Sequence, residues 1–526
     1  MVNDLLILGG LALIARLVPR FVRPDAVGSD SYYHLLAAAR IRESGFRLPP
    51  VLRGLCFPGP YDYPPLFHYL LALVPPRLVA VAERLSSPVI DTAYVLLTYG
   101  FLTWLLRGQP LEPEAIRTRA LWVTIAFAIS PALLYVGRGP RAYNANPRVL
   151  SEVLFASAMI ATLAWWLASH AWGLAAASAA VALLLLTSKF GAQVVAFFFP
   201  AMSGLLAAPS LLAVPVSGFL IAILATRGHY LRVLKGHVGH LALFARLGTT
   251  PAQTRRGEWH ELGRWLRSKP STGSLYQLLC INSVSCFALR NPQLLALALL
   301  WWRQPSWGPA EQFLWTWTLV SSAVFLFVTL RPLLFLGEAE RYVSYSLPAQ
   351  FALVALGWND IPTPLWTALL LYSALLSLAY QAAFTRINRL DPGLASDFSE
   401  LSDFLRSQPR RLRILPVAES PHKLAYCCGH EIFYPCGNFQ VWHTSIDEYR
   451  RIYGAFLQPR VDTLAETSAR YRIDALLVNK RGVQDGFGRA LVDHPRLFEN
   501  DTFVLYALGS NESDSAVTRT AAERDL

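Results

Sequence analysis

Two carboxylates in aromatic settings stand near the start of the chain, Asp30 in the run SDSYYH and Asp62 in YDYPP. An acid held among aromatic rings at a membrane edge can serve as a general base toward a hydroxyl or an amine. Tyr32 and Tyr33 follow Asp30, and His34 lies one turn on, on the same helix face. The plainer account of Asp30 is an N-cap for the helix that begins at Ser31, a duty that Ser29 or Ser31 could also discharge. Asp62 has its own plain account as an acidic helix start. Tyr63 must be extended before Pro64, and Pro65 suits a first helical turn. Two acids bracketing one loop nevertheless point to a shared site.

A second constellation is cationic. In GRGPRAYNANPRVLSEVLF, Arg138, Arg141 and Arg148 flank Tyr143, Asn144 and Asn146, and Glu152 follows one turn into an apolar segment. A carboxylate inside a membrane helix is costly unless paired, which makes Glu152 a functional candidate. In a purely structural account Arg148, four residues earlier, is its partner. Lys189 closes an apolar run in LLTSKFGAQ, where snorkelling to the interface is the bland reading. GEAERYVSYSLPAQF carries Glu338, Glu340, Arg341 and Tyr342 at the mouth of another apolar run. A guanidinium there can clamp a phosphate through two parallel hydrogen bonds, or simply pair with Glu338 or Glu340.

The elements that must position these groups are membrane helices. Hydrophobic residues make up 54% of the 526 and charged residues only 16%, with 15 Trp. Soluble domains carry about 25% charged residues. Apolar runs recur from Leu5 to Phe384, at the length of about 20 residues that crosses a bilayer. The pattern predicts a polytopic α-helical membrane protein of about eleven spans, near 4–22, 88–107, 119–137, 149–168, 171–188, 190–208, 210–226, 285–302, 311–330, 343–358 and 364–384. The first segment lacks a basic n-region and a small-residue cleavage site, so it reads as a retained helix. Residues 64–84, broken by Pro75 and Pro76, read as lying along the interface, with a true span as the alternative. Between the two acids Leu35, Leu36, Ala39 and the stem of Arg40 fall at helical spacing, which predicts an amphipathic helix.

Residues 1–385 therefore form a transmembrane domain with a first loop at 23–87, a second at 138–148 and a long basic one at 227–284. Residues 386–510 alternate strand-like runs (RLRILPVA, DALLVNK, TFVLYAL) with helical ones, which predicts a small soluble α/β domain. Residues 511–526 read as a disordered tail. The net charge of +12 is dispersed among membrane segments. That argues against nucleic acid and for phosphate-bearing lipids or anionic headgroups. Six cysteines fit no zinc spacing; Cys427, Cys428 and Cys436 lie close enough in sequence for one disulfide, with free thiols the alternative.

Taken together these pieces resemble the GT-C superfamily of glycosyltransferases. SDSYYHLLAAARIRESGF followed by YDYPPLFHYLLAL is similar in order and spacing to the first loop of the aminoarabinose and protein O-mannosyl transferase branch. LLTSKFG resembles its Leu-Thr-Lys-Gly element, and ERYVSYSLPA its Arg-Tyr near a late span. SDSYYHL with YPPLFHY also resembles relatives of the oligosaccharyltransferase catalytic subunit. The resemblance covers roughly residues 1–385.

Three departures stand out. Tyr63 replaces the usual Lys after the acid before PPL. The second loop lacks the usual Asp, leaving Glu152 or Asn144 in its place. A WWDYG-like peptide-binding motif is missing.

The resemblance implies a polyprenyl-phosphate-linked sugar donor and a lipid, glycan or protein acceptor at the non-cytoplasmic face. The donor phosphate would be held by Arg341, Lys189 and an arginine of the 138–148 loop. Asp30 would orient or deprotonate the acceptor for an inverting attack, with Asp62 beside it. Tyr32, Tyr33, His34, Tyr143, Asn144, Arg148, Glu152 and Tyr342 would complete the substrate site. A divalent cation, Mg or Mn, would bind at Asp30 near Asp62, since hard cations take oxygen ligands.

Eleven spans would put the 23–87, 138–148, 227–284 and 331–342 segments and the C-terminal domain on one face. The positive-inside rule points the other way, because the loops opposite carry only Arg107, Arg117, Arg119 and Arg303. The rival classes are a transporter or flippase, which favours internal repeats that this chain lacks, and a non-catalytic lipid-binding scaffold.

Overall fold

The structure is a computed structural model of the full chain. It describes residues 2–22, 28–57, 59–135, 144–247, 257–269, 271–303, 307–387, 392–434, 445–457, 461–482 and 494–508. Arg138, Arg141, Tyr143, Cys436 and the 511–526 tail lie outside the described residues.

Contacts divide the chain into two units. The larger comprises residues 1–34, 41–48 and 62–389 and is almost wholly helical. Six of its helical stretches are long and apolar enough to cross a membrane: Val2–Arg20, Pro76–Leu106, Pro113–Leu134, Pro147–Ala168, Pro309–Val328 and Thr363–Arg386. Two bent pairs raise the number to eight if each counts as one span. Pro209–Ala225 meets His229–Arg246 at 117°, and Thr272–Ile281 meets Ser283–Arg290 at 74°. Ala171–Leu185 and Leu347–Leu356 are apolar but shorter. Among the described residues, six to eight spans thus stand where about eleven were expected, because several apolar runs fold into short or bent helices.

The stretch after the first loop also differs from expectation. Val74 is extended, as a residue before proline prefers, and this ends the short helix Leu66–Leu73. Pro76 then opens a 3₁₀ turn, and one helix runs from Val79 to Leu106 with Pro88 inside it. Residues 76–84 therefore belong to a membrane-length helix rather than to an interfacial piece.

The first helix, Val2–Val22, docks on Val79–Leu106 through charges that are all paired. Arg16 bonds Asp91, with both side chains wholly buried, and Arg20 reaches Glu83 at 2.6 Å. Asp4 takes Arg117 at 2.8 Å from the neighbouring helix. Removing one partner of such a pair leaves an uncompensated buried charge, which fixes how these helices meet.

The second unit comprises residues 35–40, 49–61 and 390–526. Its five strands are β1 Arg413–Val417, β2 Glu431–Ile432, β3 Ala475–Asn479, β4 Arg496–Glu499 and β5 Phe503–Ala507, in the order β2-β1-β3-β5-β4. β1 is parallel to β2 and β3, while β5 is antiparallel to β3 and β4. The three strand-like sequence runs supply β1, β3 and β5, whose alternating side chains Leu415, Leu476 and Val504 build one core with Ile452 and Leu464 of the helices. A first-loop segment joins this sheet. Leu55 bridges Ile432 in parallel, with Cys56 N donating to Ile432 O at 2.9 Å and Ile432 N to Gly54 O at 3.1 Å. It caps the free edge of β2, which would otherwise offer unpaired backbone groups. Among the described residues Cys56, Cys280, Cys286 and Cys428 are free thiols.

Candidate active site

Asp30 lies in the first turn of the helix Gly28–Glu43, where a carboxylate complements the helix dipole. What orients this turn is the next residue. Ser31 Oγ donates to Glu83 Oε1 at 3.1 Å. The same carboxylate receives Arg20 and, at 3.4 Å, the backbone N–H of Ala145. Glu83 therefore gathers the end of the first helix, the Asp30 turn and the start of the Pro147–Ala168 segment. Sequence reading missed it, since a single acid in an apolar run carries no local signal of its partners. Asp30 itself remains exposed, although protein crowds around it. That combination describes a recessed carboxylate that a ligand can reach. The crowding pushes its carboxyl above the usual range, and the Arg341 charge pulls it back.

Behind Asp30 the rings interlock. Tyr33 meets Tyr63 edge-on at 5.5 Å, and Tyr63 lies 5.2 Å from His68. His34 Nδ1 and His68 Nε2 are 2.7 Å apart and share one proton between two buried rings. Burial pushes His68 down to about 3, so this ring stays neutral. Tyr32 lies half-buried on the same turn. The Asp30 charge reaches Tyr63, which places these rings at the wall of the recess.

Asp62 is buried and faces Lys189 Nζ at 3.5 Å; the same ammonium stands 5.6 Å over the Tyr63 ring. Burial raises the Asp62 carboxyl and Lys189 opposes the rise. Lys189 sits in the first turn of a helix whose N-cap, Ser188, accepts from Gly191 N. On the far side, the helix His229–Leu247 brings Gly236 so close that a Cβ there would collide with the Asp62 carboxylate.

The cations converge as well. Arg341 Nε donates to Glu338 at 2.6 Å, and its guanidinium lies 5.9 Å over Phe190. It interacts electrostatically with both Asp30 and Arg148. Arg148 donates to Glu152 at 3.1 Å and to the Tyr135 hydroxyl at 2.6 Å, while its Nη2 finds no hydrogen-bond partner among the described residues. Arg290, absent from the sequence reading, stacks on the Tyr135 ring at 3.9 Å. Glu152 is fully buried and accepts from Arg148, four residues earlier. Tyr342 is also fully buried and donates to Gln193 Oε1 at 2.8 Å. Asn144 is tied down through its carbonyl, which accepts from Ser87 Oγ at 2.5 Å.

The residues do not fit a divalent metal ion. Among the described residues, no three of His, Cys, Asp and Glu converge as ligands. The charge facing Asp30 is a guanidinium, and Asp62 already has an ammonium.

No family model and no curated protein matches the sequence. Solved structures match its fold. ArnT from Cupriavidus metallidurans, in the apo state, superposes with a TM-score of 0.54 at 12% identity, over 96% of this chain and 97% of that one. This chain shares that fold. The oligosaccharyltransferase AglB from Archaeoglobus fulgidus matches in its apo form with a TM-score of 0.53 at 11% identity, over 90% of this chain and 69% of that one. Its complex with an inhibitory peptide and a dolichol-phosphate matches with a TM-score of 0.54 at 12% identity, over 91% and 69%.

Proposed function

We propose that the chain is an integral membrane glycosyltransferase that moves a sugar from a polyprenyl-phosphate-linked donor to an acceptor at the non-cytoplasmic face. The observation that carries this reading is the recessed, reachable Asp30 carboxylate facing Arg341, with Arg148 next in line. A base with phosphate-binding cations beside it suits displacement at an anomeric carbon. Asp30 would take the proton from the acceptor nucleophile as it attacks, the bond from anomeric carbon to phosphate oxygen would break, and polyprenyl phosphate would leave. Attack from the face opposite the phosphate inverts the centre. Arg341, Arg148 and Lys189 would stabilise the charge that gathers on the leaving phosphate, the largest kind of contribution a site of this type makes. No metal step is needed in this scheme.

Likeness to both an aminoarabinose-type and an oligosaccharyltransferase fold supports the reaction class and leaves the acceptor open. The missing WWDYG-like run weighs against transfer to peptide sequons. The test is release of bare polyprenyl phosphate, followed by mass spectrometry, when the reconstituted protein meets a polyprenyl-phosphate-sugar lipid extract and a membrane acceptor extract. Release that needs both extracts supports the reading, and its absence refutes it. The face is tested by a phosphatase reporter fused after Arg386, active if this end is exported. An inactive fusion would turn the proposal inside out and favour a cytosolic donor.

A further inference from the structure

The helix His229–Leu247 has more to offer than the Gly236 notch against Asp62. One residue on, His237 is 7% exposed, and among the described residues neither of its ring nitrogens has a hydrogen-bond partner. His240 follows one turn later with an unpartnered Nδ1, its ring edge-on to Phe244 at 4.4 Å. Both imidazoles feel the charge of Lys189. Buried polar atoms in folded proteins nearly always find a partner, so a ring with both nitrogens unmet by the described residues is suited to a bound ligand.

The chemistry of that partner follows from the ring. A neutral imidazole offers one N–H and one lone pair. A phosphate dianion meets only the donor, and a metal ion only the lone pair. A hydroxyl meets both. Two imidazoles on successive turns, with an ammonium beside them, match neighbouring hydroxyls on a saccharide ring. The site also lies in the right place for one. Lys189 stands 5.6 Å over the Tyr63 ring, which feels the Asp30 charge as Asp30 feels that of Arg341, so the histidines, the base and the arginines belong to one linked group.

We propose that His237 and His240, with Lys189, form a subsite for saccharide hydroxyls beside Asp62. This rests on the glycosyltransferase reading. The hydroxyls belong either to the sugar of the donor or to a glycan acceptor, and the chemistry is the same for both.

The test uses the full-length protein in nanodiscs as wild type, His237→Phe, His240→Phe and His237→Gln. Because no protein hydrogen bond of His237 is lost, His237→Phe should keep or raise Tm, which a structural histidine would not do. Two readouts then separate the sources. One is the ratio of sugar-bearing to bare polyprenyl phosphate retained from a total lipid extract of the source membranes. The other is the amount of membrane acceptor extract needed for half-maximal transfer. A tenfold or greater fall in the ratio in the Phe variants, partly recovered in His237→Gln, supports the subsite with the donor sugar as occupant. An unchanged ratio with a tenfold rise in acceptor requirement supports it with the acceptor. No change in either readout overturns it, leaving water as the partner. So does a fall in Tm together with loss of bare undecaprenyl phosphate binding. If the wild type itself binds no undecaprenyl phosphate, the glycosyltransferase reading fails first and the subsite is withdrawn with it.

Discussion

Asp30 and Asp62 belong to one loop and carry the same group, yet their surroundings differ in what they leave open. Asp62 is buried, has Lys189 within 3.5 Å and is covered by the backbone at Gly236. Asp30 is reachable, and the cation it faces, Arg341, is already bonded to Glu338. One acid is closed in by an ammonium and a neighbouring backbone, and the other is open to a ligand. Two neighbouring acids in a sequence look alike; their partners, more than a hundred residues away, make them different.

The sharpest way to break this comparison is to neutralise each acid in turn. Asp30→Asn should leave expression and Tm near wild type and lower transfer by about 10²–10⁴-fold, the range for loss of a general base. Asp62→Asn should do the reverse. It removes the carboxylate facing the buried Lys189 ammonium and should lower stability by about 3 kcal/mol, with transfer per folded molecule less affected. Recovery of Tm in Asp62→Asn/Lys189→Gln would confirm that the cost came from that ammonium.

Arg341 comes next in size. Arg341→Ala should weaken binding of polyprenyl phosphate by about 10–100-fold, the effect of losing a charge-assisted contact. Arg341→Lys should recover part of it, because the planar fork is lost while the charge remains. Unchanged affinity in both variants would make Arg341 a partner for Glu338 and nothing more.

The pH dependence separates the acids more finely. A base works only when ionised, so transfer should fall as pH drops through the Asp30 carboxyl. Its folded value lies above the ordinary 3.8, which moves the acid limb of the profile upward. Arg341→Ala removes the opposing charge and should move that limb higher still. Stability should carry a different mark from His68. Its folded value of about 3 lies below the ordinary 6.5, so between those values the unfolded chain binds more protons. Stability should therefore decline as pH falls below about 6.5, and less steeply in His68→Leu, as read from thermal melts across pH 4–7.

Much of this arrangement could be read from the sequence, and what could not shares a physical cause. The helix after Asp30 announced itself through Leu35, Leu36 and Ala39, and the strands β1, β3 and β5 through their apolar runs, because these signals are local. Arg341 and Lys189 stood out as charges at the ends of apolar runs. Glu83, Arg290 and His237 did not, since their meaning lies in partners or in missing partners that only the fold reveals. The Arg148–Glu152 pair was foreseen as one of two accounts because its spacing is helical. The joining of residues 49–61 to the β2 edge links positions nearly 380 apart and leaves no trace in either stretch alone. The spans near 171–188 and 343–358 were read by hydrophobicity, which does not distinguish a crossing helix from a short buried one.

The most direct test of the account is a single comparison of Asp30→Asn with Asp62→Asn in nanodiscs. Binding of undecaprenyl phosphate, and release of polyprenyl phosphate from a polyprenyl-phosphate-sugar lipid extract in the presence of the membrane acceptor extract, are measured on the same preparations. The account predicts that Asp30→Asn binds undecaprenyl phosphate as wild type does and releases none from the sugar-bearing lipid. Asp62→Asn, once corrected for the folded fraction, should keep releasing it. Release at the wild-type rate from Asp30→Asn would contradict the assignment of the base, and with it the central claim.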